Sequence, residues 1–170
     1  NAILAGDNHQ WVYRNLAYEQ LVRWSEDFTT VEPNVAESFE ASEDGKEFTF
    51  TLREGMKWSD GVPFTSSDVM FWYEDIISDR DITPEQPAWL RVAGEPAEVE
   101  APDDLTVVFR FTEPNGLFLA QMAGLHGLGA TIAPRHHLEQ FHQKYNPDGI
   151  EALVKEAGVS GWVNLFGIKA

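Results

Sequence analysis

The run Lys46-Glu-Phe-Thr-Phe-Thr-Leu-Arg53 limits the possible folds more than any other stretch. Phe48, Phe50 and Leu52 alternate strictly with Thr49, Thr51 and Arg53. A two-residue repeat puts one set on each side of a pleated strand, so the segment belongs in a sheet with one buried face. Just before it, Asp44-Gly45 offers the positive-φ residue that a tight turn needs, and Val35–Ser42 is its antiparallel partner. The chain must therefore cover the aromatic side of a hairpin.

A second hairpin follows the same logic. Ala97–Ala101 can pair with Leu105–Phe111 across Pro102-Asp103-Asp104, with Val99, Leu105, Val107, Phe109 and Phe111 on one face. With Phe39 and Phe71, these aromatics read as core. The cover is expected from a helix over Thr65–Ser78. Thr65 is its N-cap, and Asp68 three residues on completes a capping box. Val69, Trp72, Tyr73 and Ile76 form its apolar face, and Asp68, Asp75 and Asp79 are expected on a wet one. Before the hairpins, Ile3–Gln10 reads as a short strand. A short helix leads into an edge strand at Leu21–Trp24, and Ser25–Asn34 reads as a loop. After them come short helices at Asn115–Met122, Pro134–Tyr145, Gly149–Ala157 and Ser160–Phe166. The pattern is an α+β fold, an antiparallel or mixed sheet with helices packed on it.

Bulk properties exclude several functions. The 170 residues hold 28 acids against 12 bases, a net charge of −16, which repels phosphate backbones and anionic membranes. No nucleic-acid partner is expected. With no cysteine, the chain lacks disulfides, thiolate zinc sites and cysteine nucleophiles. The most apolar stretch, Leu117–Ala133, is interrupted by Gln121, His126 and several glycines and falls short of a membrane span. No signal peptide is evident. Asn1-Ala2 reads as the scar of a cleaved tag, and the chain as an excerpt of a longer protein.

Catalytic chemistry is hard to find. His136, Glu139 and His142 have helical spacing, but the third member drifts off the face and no His-Glu-x-x-His is present. They read as a solvated helix face, and no metal or cofactor is expected. The adjacent acids Glu26-Asp27, Glu43-Asp44, Glu74-Asp75 and Asp103-Asp104 have no base placed to form a catalytic set. The glycine-rich Gly124–Thr131 segment is no phosphate loop; it suits a close backbone approach. Within it, His126 reads as a buried, hydrogen-bonded histidine. No enzyme activity is expected.

The stretch AESFEASEDGKEFTFTLREGMKWSDGVPFTSSDVMFWYEDI, Ala36 to Ile76, closely resembles the signature region of family 5 extracellular solute-binding proteins, the receptors of ABC importers for oligopeptides, dipeptides, nickel and some oligosaccharides. The family's strand, Ser-x-Asp-Gly hairpin, Gly-x-Lys-aromatic-x-Asp-Gly-x-Pro-Phe-Thr segment and Asp-Val helix start are all present. The stretches AYEQLVRW at Ala17, DDLTVVFRFTEPNGLFL at Asp103 and TIAPRHHLE at Thr131 extend the likeness over about 13–166. Trp72-Tyr73 departs from the simpler helix often seen there, and the Lys144–Gly158 segment suggests a longer subfamily.

The resemblance implies a piece of one lobe of a two-lobed clamp. Residues 33–115 would form its core subdomain and 116–170 a return segment with helices. It implies a periplasmic or extracellular receptor that takes a peptide-like or other small solute and hands it to an ABC permease. It assigns Asp44, Gly45, Gly55, Trp58, Asp60, Gly61, Pro63, Phe64, Thr65 and Asp68 to scaffolding. It points to Asn8, His9, Gln10, Trp11 and His126 as solute contacts. A sensory or chaperone module that recognises a protein partner is the alternative, with an unrecognised hydrolase behind it. Loss of the larger subdomain that these segments pack against would open an apolar patch over Leu117–Ile132 and Trp162–Phe166, and self-association of the excerpt is the expected relief.

Overall fold

Both hairpins form, and they join in one sheet. The computed structural model describes residues 18–170. The strand expected over Ile3–Gln10 and most of the helix expected before Leu21 lie outside the described residues. Strands β3 (Ala36–Ala41) and β4 (Glu47–Leu52) pair with β7 (Glu98–Asp103) and β8 (Thr106–Arg110) in the order β3-β4-β8-β7, antiparallel throughout. The register aligns Val99, Phe109, Phe48 and Ala41 on one rung and Val107, Phe50 and Phe39 on the next. Directly paired residues share a face, so the alternating aromatics make one continuous apolar surface. Gly45, at φ 67°, closes the first turn, where the Asp44 carboxylate accepts from the Ser42 hydroxyl at 2.6 Å and the Lys46 N–H at 3.1 Å.

An earlier hairpin corrects one expectation. Val31–Pro33 is not loop but strand β2, paired with β1 (Val22–Trp24). The buried Ser25 is the reason. Its Oγ accepts from the N–H groups of Thr29 and Thr30 and donates to Asp27, while Phe28 takes φ 58°. That compact turn brings the chain straight back, and Pro33, which has no N–H to give, ends the ladder.

Beyond β4 the chain leaves the sheet through Gly55, at φ 79°, and reverses at Gly61, at φ 90°. Trp58 N–H donates to the Val62 carbonyl, Gly61 N–H to the Trp58 carbonyl and Val62 N–H to Asp60. Trp58 meets the buried Phe64 edge to face at 5.4 Å, and Pro63 carries the chain on to Thr65. Helix α1 (Ser66–Phe71) starts there, with Thr65 Oγ1 accepting from Ser67 N–H and Asp68 accepting from Thr65 N–H at 3.0 Å.

The second half of this helix is wider than expected. Trp72–Ile77 is a π-helix, ending with Ser78 N–H on the Tyr73 carbonyl, five residues back. The wide turn brings Trp72, Tyr73, Asp75 and Ile76 all inward. Asp68 and Asp75 are therefore not on a wet face; both are buried. Asp68 is held by the cap and by Arg135 N–H at 2.9 Å. Asp75 is held by Lys144 and by Tyr145, each at 2.6 Å.

Helix α2 (Phe118–Met122) drives Phe118 into the aromatic face, with ring centroids 4.7 Å from Phe48, 5.1 Å from Phe109 and 5.0 Å from Phe111. The return segment, expected as one helix, is α3 (Arg135–Leu138) followed by a 3-10 turn over Glu139–Phe141. Its histidines separate. His136 stays near the surface, and His142 is buried, not solvated, among Phe71, Tyr145, Trp162 and Phe166. Lys144 N–H donates to His142 Nδ1, so the ring's proton is on Nε2, facing the Asp75 carbonyl at 3.0 Å. Helices α4 (Ile150–Ala157) and α5 (Trp162–Lys169) complete the chain.

Candidate functional site: a trough around Trp89

Pro87 leads into a 3-10 turn over Ala88–Leu90, closed by Leu90 N–H on the Pro87 carbonyl. Leu90 points into the core and anchors the turn, which leaves Trp89 half-buried at the protein's edge. Two buried rings support its indole from the core side. Trp72 stacks at 6.3 Å and 27°, and Phe118 at 6.0 Å and 24°. Asn115 holds the backbone, donating to the Trp89 carbonyl at 3.2 Å. An aromatic fixed from below and along its main chain loses little freedom on contact with a ligand.

The glycine-rich segment explains the rest of the support. A Cβ at Gly129 would overlap the Trp72 indole nitrogen, and one at Gly127 would overlap the Met122 carbonyl. The missing side chains let the 3-10 turn at Gly127–Thr131 lie directly against α2 and Trp72. His126, just ahead of that turn, is not buried as expected; it is exposed, its ring 6.0 Å from Trp89 at 58°.

Around Trp89 opens a cleft of about 510 Å³, with Arg91, Asn115, Leu117, Gln121 and His126 on its walls. A second, of about 730 Å³, shares Pro87, Ala88 and Arg91 with it and continues to Glu85, Gln86 and Gly94. The two adjoining clefts together form a trough, with Arg91 on the walls of both. Arg91 donates to the Gly94 carbonyl, which uses one corner of its fork. Gln86 is buried, with its amide on Tyr73 and Ser78. Leu117 stands 67 % exposed and Leu125 55 % exposed nearby. Of the apolar patch expected over Leu117–Ile132 and Trp162–Phe166, these two are exposed, and Leu119, Trp162 and Val163 are half-buried. Phe118, Met122, Leu128, Ile132, Leu165 and Phe166 are buried.

Of the expected solute contacts, His126 lies on the trough, whereas Asn8, His9, Gln10 and Trp11 lie outside the described residues. Trp89, Arg91 and Gln121 had not been singled out. Trp89 lies in a stretch without periodicity, and its one local signal is an aromatic just after Pro87. The scaffolding residues Asp44, Gly45, Gly55, Trp58, Asp60, Gly61, Pro63, Phe64, Thr65 and Asp68 sit at turns, caps and packing contacts; none lines the trough, though the Gly45 carbonyl accepts from the N–H of Asn115 on its wall. Asp60 pairs with His136 at 2.7 Å, and that hydrogen bond, then the Val62 N–H, holds its carboxyl below the usual carboxylate value. Among the described residues no group of three or more His, Asp or Glu could hold a metal ion, and no helix is long and apolar enough to cross a membrane.

Residues 30–161 match the sequence model of the bacterial extracellular solute-binding proteins, family 5 Middle. The periplasmic alpha-galactoside-binding protein of Rhizobium meliloti is 39 % identical over 115 residues, which are 66 % of this chain and 16 % of that protein. The dipeptide-binding protein of Escherichia coli is 36 % identical over 124 residues, covering 62 % and 22 %. Among solved structures, an oligopeptide-binding protein superposes with a TM-score of 0.82 at 40 % identity, over 92 % of this chain and 24 % of that one. The chain thus spans under a quarter of the length of each.

Proposed function

The chain belongs to family 5 of the bacterial extracellular solute-binding proteins, and on that premise we propose that it is part of the capture receptor of an ABC importer. The receptor holds a small solute, peptide-like or otherwise, outside the cytoplasmic membrane and delivers it to the permease. It binds without chemical change. The described residues are one subdomain and adjoining pieces of a single lobe, with residues 33–115 as the core, and the opposite lobe closes over the trough. The relatives' names speak for a periplasmic solute-binding role: one is an alpha-galactoside-binding periplasmic protein, another a dipeptide-binding protein.

The observation that carries this reading is the trough itself. A fixed indole on a cleft whose walls also carry guanidinium, carboxamide and imidazole groups suits a small molecule. Purification of the full-length protein from its native host, followed by mass spectrometry of the denatured supernatant, tests it. A small solute released in near-stoichiometric amount is expected, and adding it back should raise the melting temperature. A protein that carries no solute and gains no thermal stability from any peptide or sugar offered would count against a receptor.

A further inference from the structure

We propose that Asn115, on the trough wall, and Gly116 after it are a site of spontaneous deamidation, where the chain slowly converts its own Asn115 to aspartate and isoaspartate. The modification stands on the chain alone. What it does to a bound solute rests on the receptor reading above.

The reaction needs an asparagine followed by a reachable main-chain nitrogen. That nitrogen gives its proton to hydroxide or water and attacks the asparagine's Cγ. A five-membered imide closes, and Nδ2 leaves as ammonia. Water then opens the ring. Opening at the side-chain carbonyl gives aspartate, and opening at the main-chain carbonyl gives isoaspartate. One water enters, one ammonia departs, and no oxidant or cofactor is needed.

Four asparagines fall among the described residues: Asn34, Asn115, Asn146 and Asn164. Three are protected. The nitrogen after Asn34 belongs to Val35, whose branched Cβ crowds it, and its N–H donates to the Gln20 carbonyl at 3.2 Å. Pro147 follows Asn146 and has no N–H to lose. Leu165 follows Asn164 inside α5, and its N–H is taken by the Gly161 carbonyl at 3.1 Å. Asn115 differs on each count. Gly116 has no Cβ, is exposed, and its N–H donates to nothing among the described residues. A Cβ built on it would meet nothing within 4 Å, so the approach to this nitrogen is open.

The atom lost is the one that holds Trp89. Asn115 Nδ2 donates to the Trp89 carbonyl at 3.2 Å. Deamidation replaces it with a carboxylate oxygen, and two oxygens that carry negative charge then face each other. A negative charge also enters a wall shared with Arg91, which sits on strand β5 (Arg91–Val92) of a small hairpin with β6 (Glu95–Pro96). Isoaspartate goes further, because it adds a carbon to the main chain between Asn115 and Gly116. The insertion falls between the bond from Asn115 N–H to the Gly45 carbonyl and helix α2, whose Phe118 supports the indole. Ageing thus loosens Trp89 from its backbone side.

Storage of the full-length protein in mildly acidic and mildly alkaline buffer, followed by tryptic mass spectrometry, tests the site. The peptide Phe111–Arg135 should gain aspartate and isoaspartate at Asn115, faster in alkali, where the nitrogen loses its proton more readily. Gly116→Ala fits the open space and should stay folded, as its melting curve will show, while losing most of that gain, because its methyl crowds the attack. Near-ultraviolet circular dichroism reads the consequence. The aged protein and fresh Asn115→Asp should lose the same part of the aromatic signal, and aged Gly116→Ala should keep it. No conversion of Asn115 in alkali, or conversion equally fast in Gly116→Ala, would overturn the site. Conversion with an unchanged spectrum would uphold the site and overturn its tie to Trp89. Neither measurement offers a solute, so failure of the receptor reading shows separately, in the mass spectrometry of bound solute.

Discussion

The Lys144 ammonium lies 2.6 Å from Oδ1 of Asp75, a carboxylate with only 4 % of its side chain exposed, while Lys144 itself is 56 % exposed. The pair is lopsided. The lysine can turn to water, but the carboxylate cannot leave. Asp75 raises the lysine's pKa, chiefly through this hydrogen bond. Lys144→Ala should leave a buried charge with Tyr145 alone and cost about 3 kcal/mol, at the lower end for breaking a buried pair. Asp75→Asn keeps the shape, removes the charge and should cost clearly less. Urea midpoints of the two variants check this; the reverse order would refute the asymmetry.

At the start of α1, Thr65→Ala should cost about 1 kcal/mol, the usual loss for an N-cap hydroxyl. Asp68→Ala should cost more. Its carboxylate serves the Thr65 N–H from one oxygen and the Arg135 N–H from the other, so its removal frees two backbone donors on separate segments. Chemical denaturation of both variants gives the comparison, and equal midpoints would show that the Arg135 contact contributes nothing.

Gly129→Ala should lower stability by about 1–3 kcal/mol, the range for overfilling a packed site, because the methyl would overlap the Trp72 indole. The displaced Trp72 would shift Trp89 with it. Near-ultraviolet circular dichroism should therefore lose part of the aromatic signal from the stacked pair. A spectrum identical to the parent's would mean that the turn, and not the indole, gives way.

Acid should destabilise the fold through its turns. Asp27, Asp44, Asp60 and Asp103 each have a pKa below the ordinary 3.8. The leading causes are hydrogen bonds from Ser25, Ser42, His136 and the Leu105 N–H respectively. A carboxyl whose folded pKa is depressed adds stability above its unfolded value and loses it as pH falls through the folded one. The melting temperature should thus fall steadily below about pH 4. Asp44→Asn should flatten part of that slope, and a slope unchanged by the substitution would take Asp44 out of the account.

Much of the sheet was legible because its signals are local. Alternation at Phe48, Phe50 and Leu52 and the Asp-Gly turn need no distant partner to be read. The capping box was legible for the same reason. The wet face assigned to Asp68 and Asp75 failed because their partners, Arg135, Lys144 and Tyr145, lie some 70 positions away, and a carboxylate bound from such a distance leaves no mark nearby. Val31–Pro33 was hidden because one buried serine, rather than a glycine or Asn-Gly pair, makes its turn. At the trough, the resemblance pointed to His126, whereas Trp89 owes its place to Trp72, Phe118 and Asn115, none of which its own neighbourhood announces.

The wide turn at Trp72–Ile77 acts as a change of bearing in the chain. An ordinary helix advances about 100° per residue, and a π turn absorbs one extra residue within nearly the same angle. The wide turn therefore carries Asp75 inward beside Trp72, Tyr73 and Ile76, which an ordinary helix would bury without it. Deleting one residue in this turn would tighten it into an ordinary helix. Its main effect would be to swing Ser78 and the run toward Trp89 by roughly a quarter turn, so that the indole met the protein's edge at a different compass point.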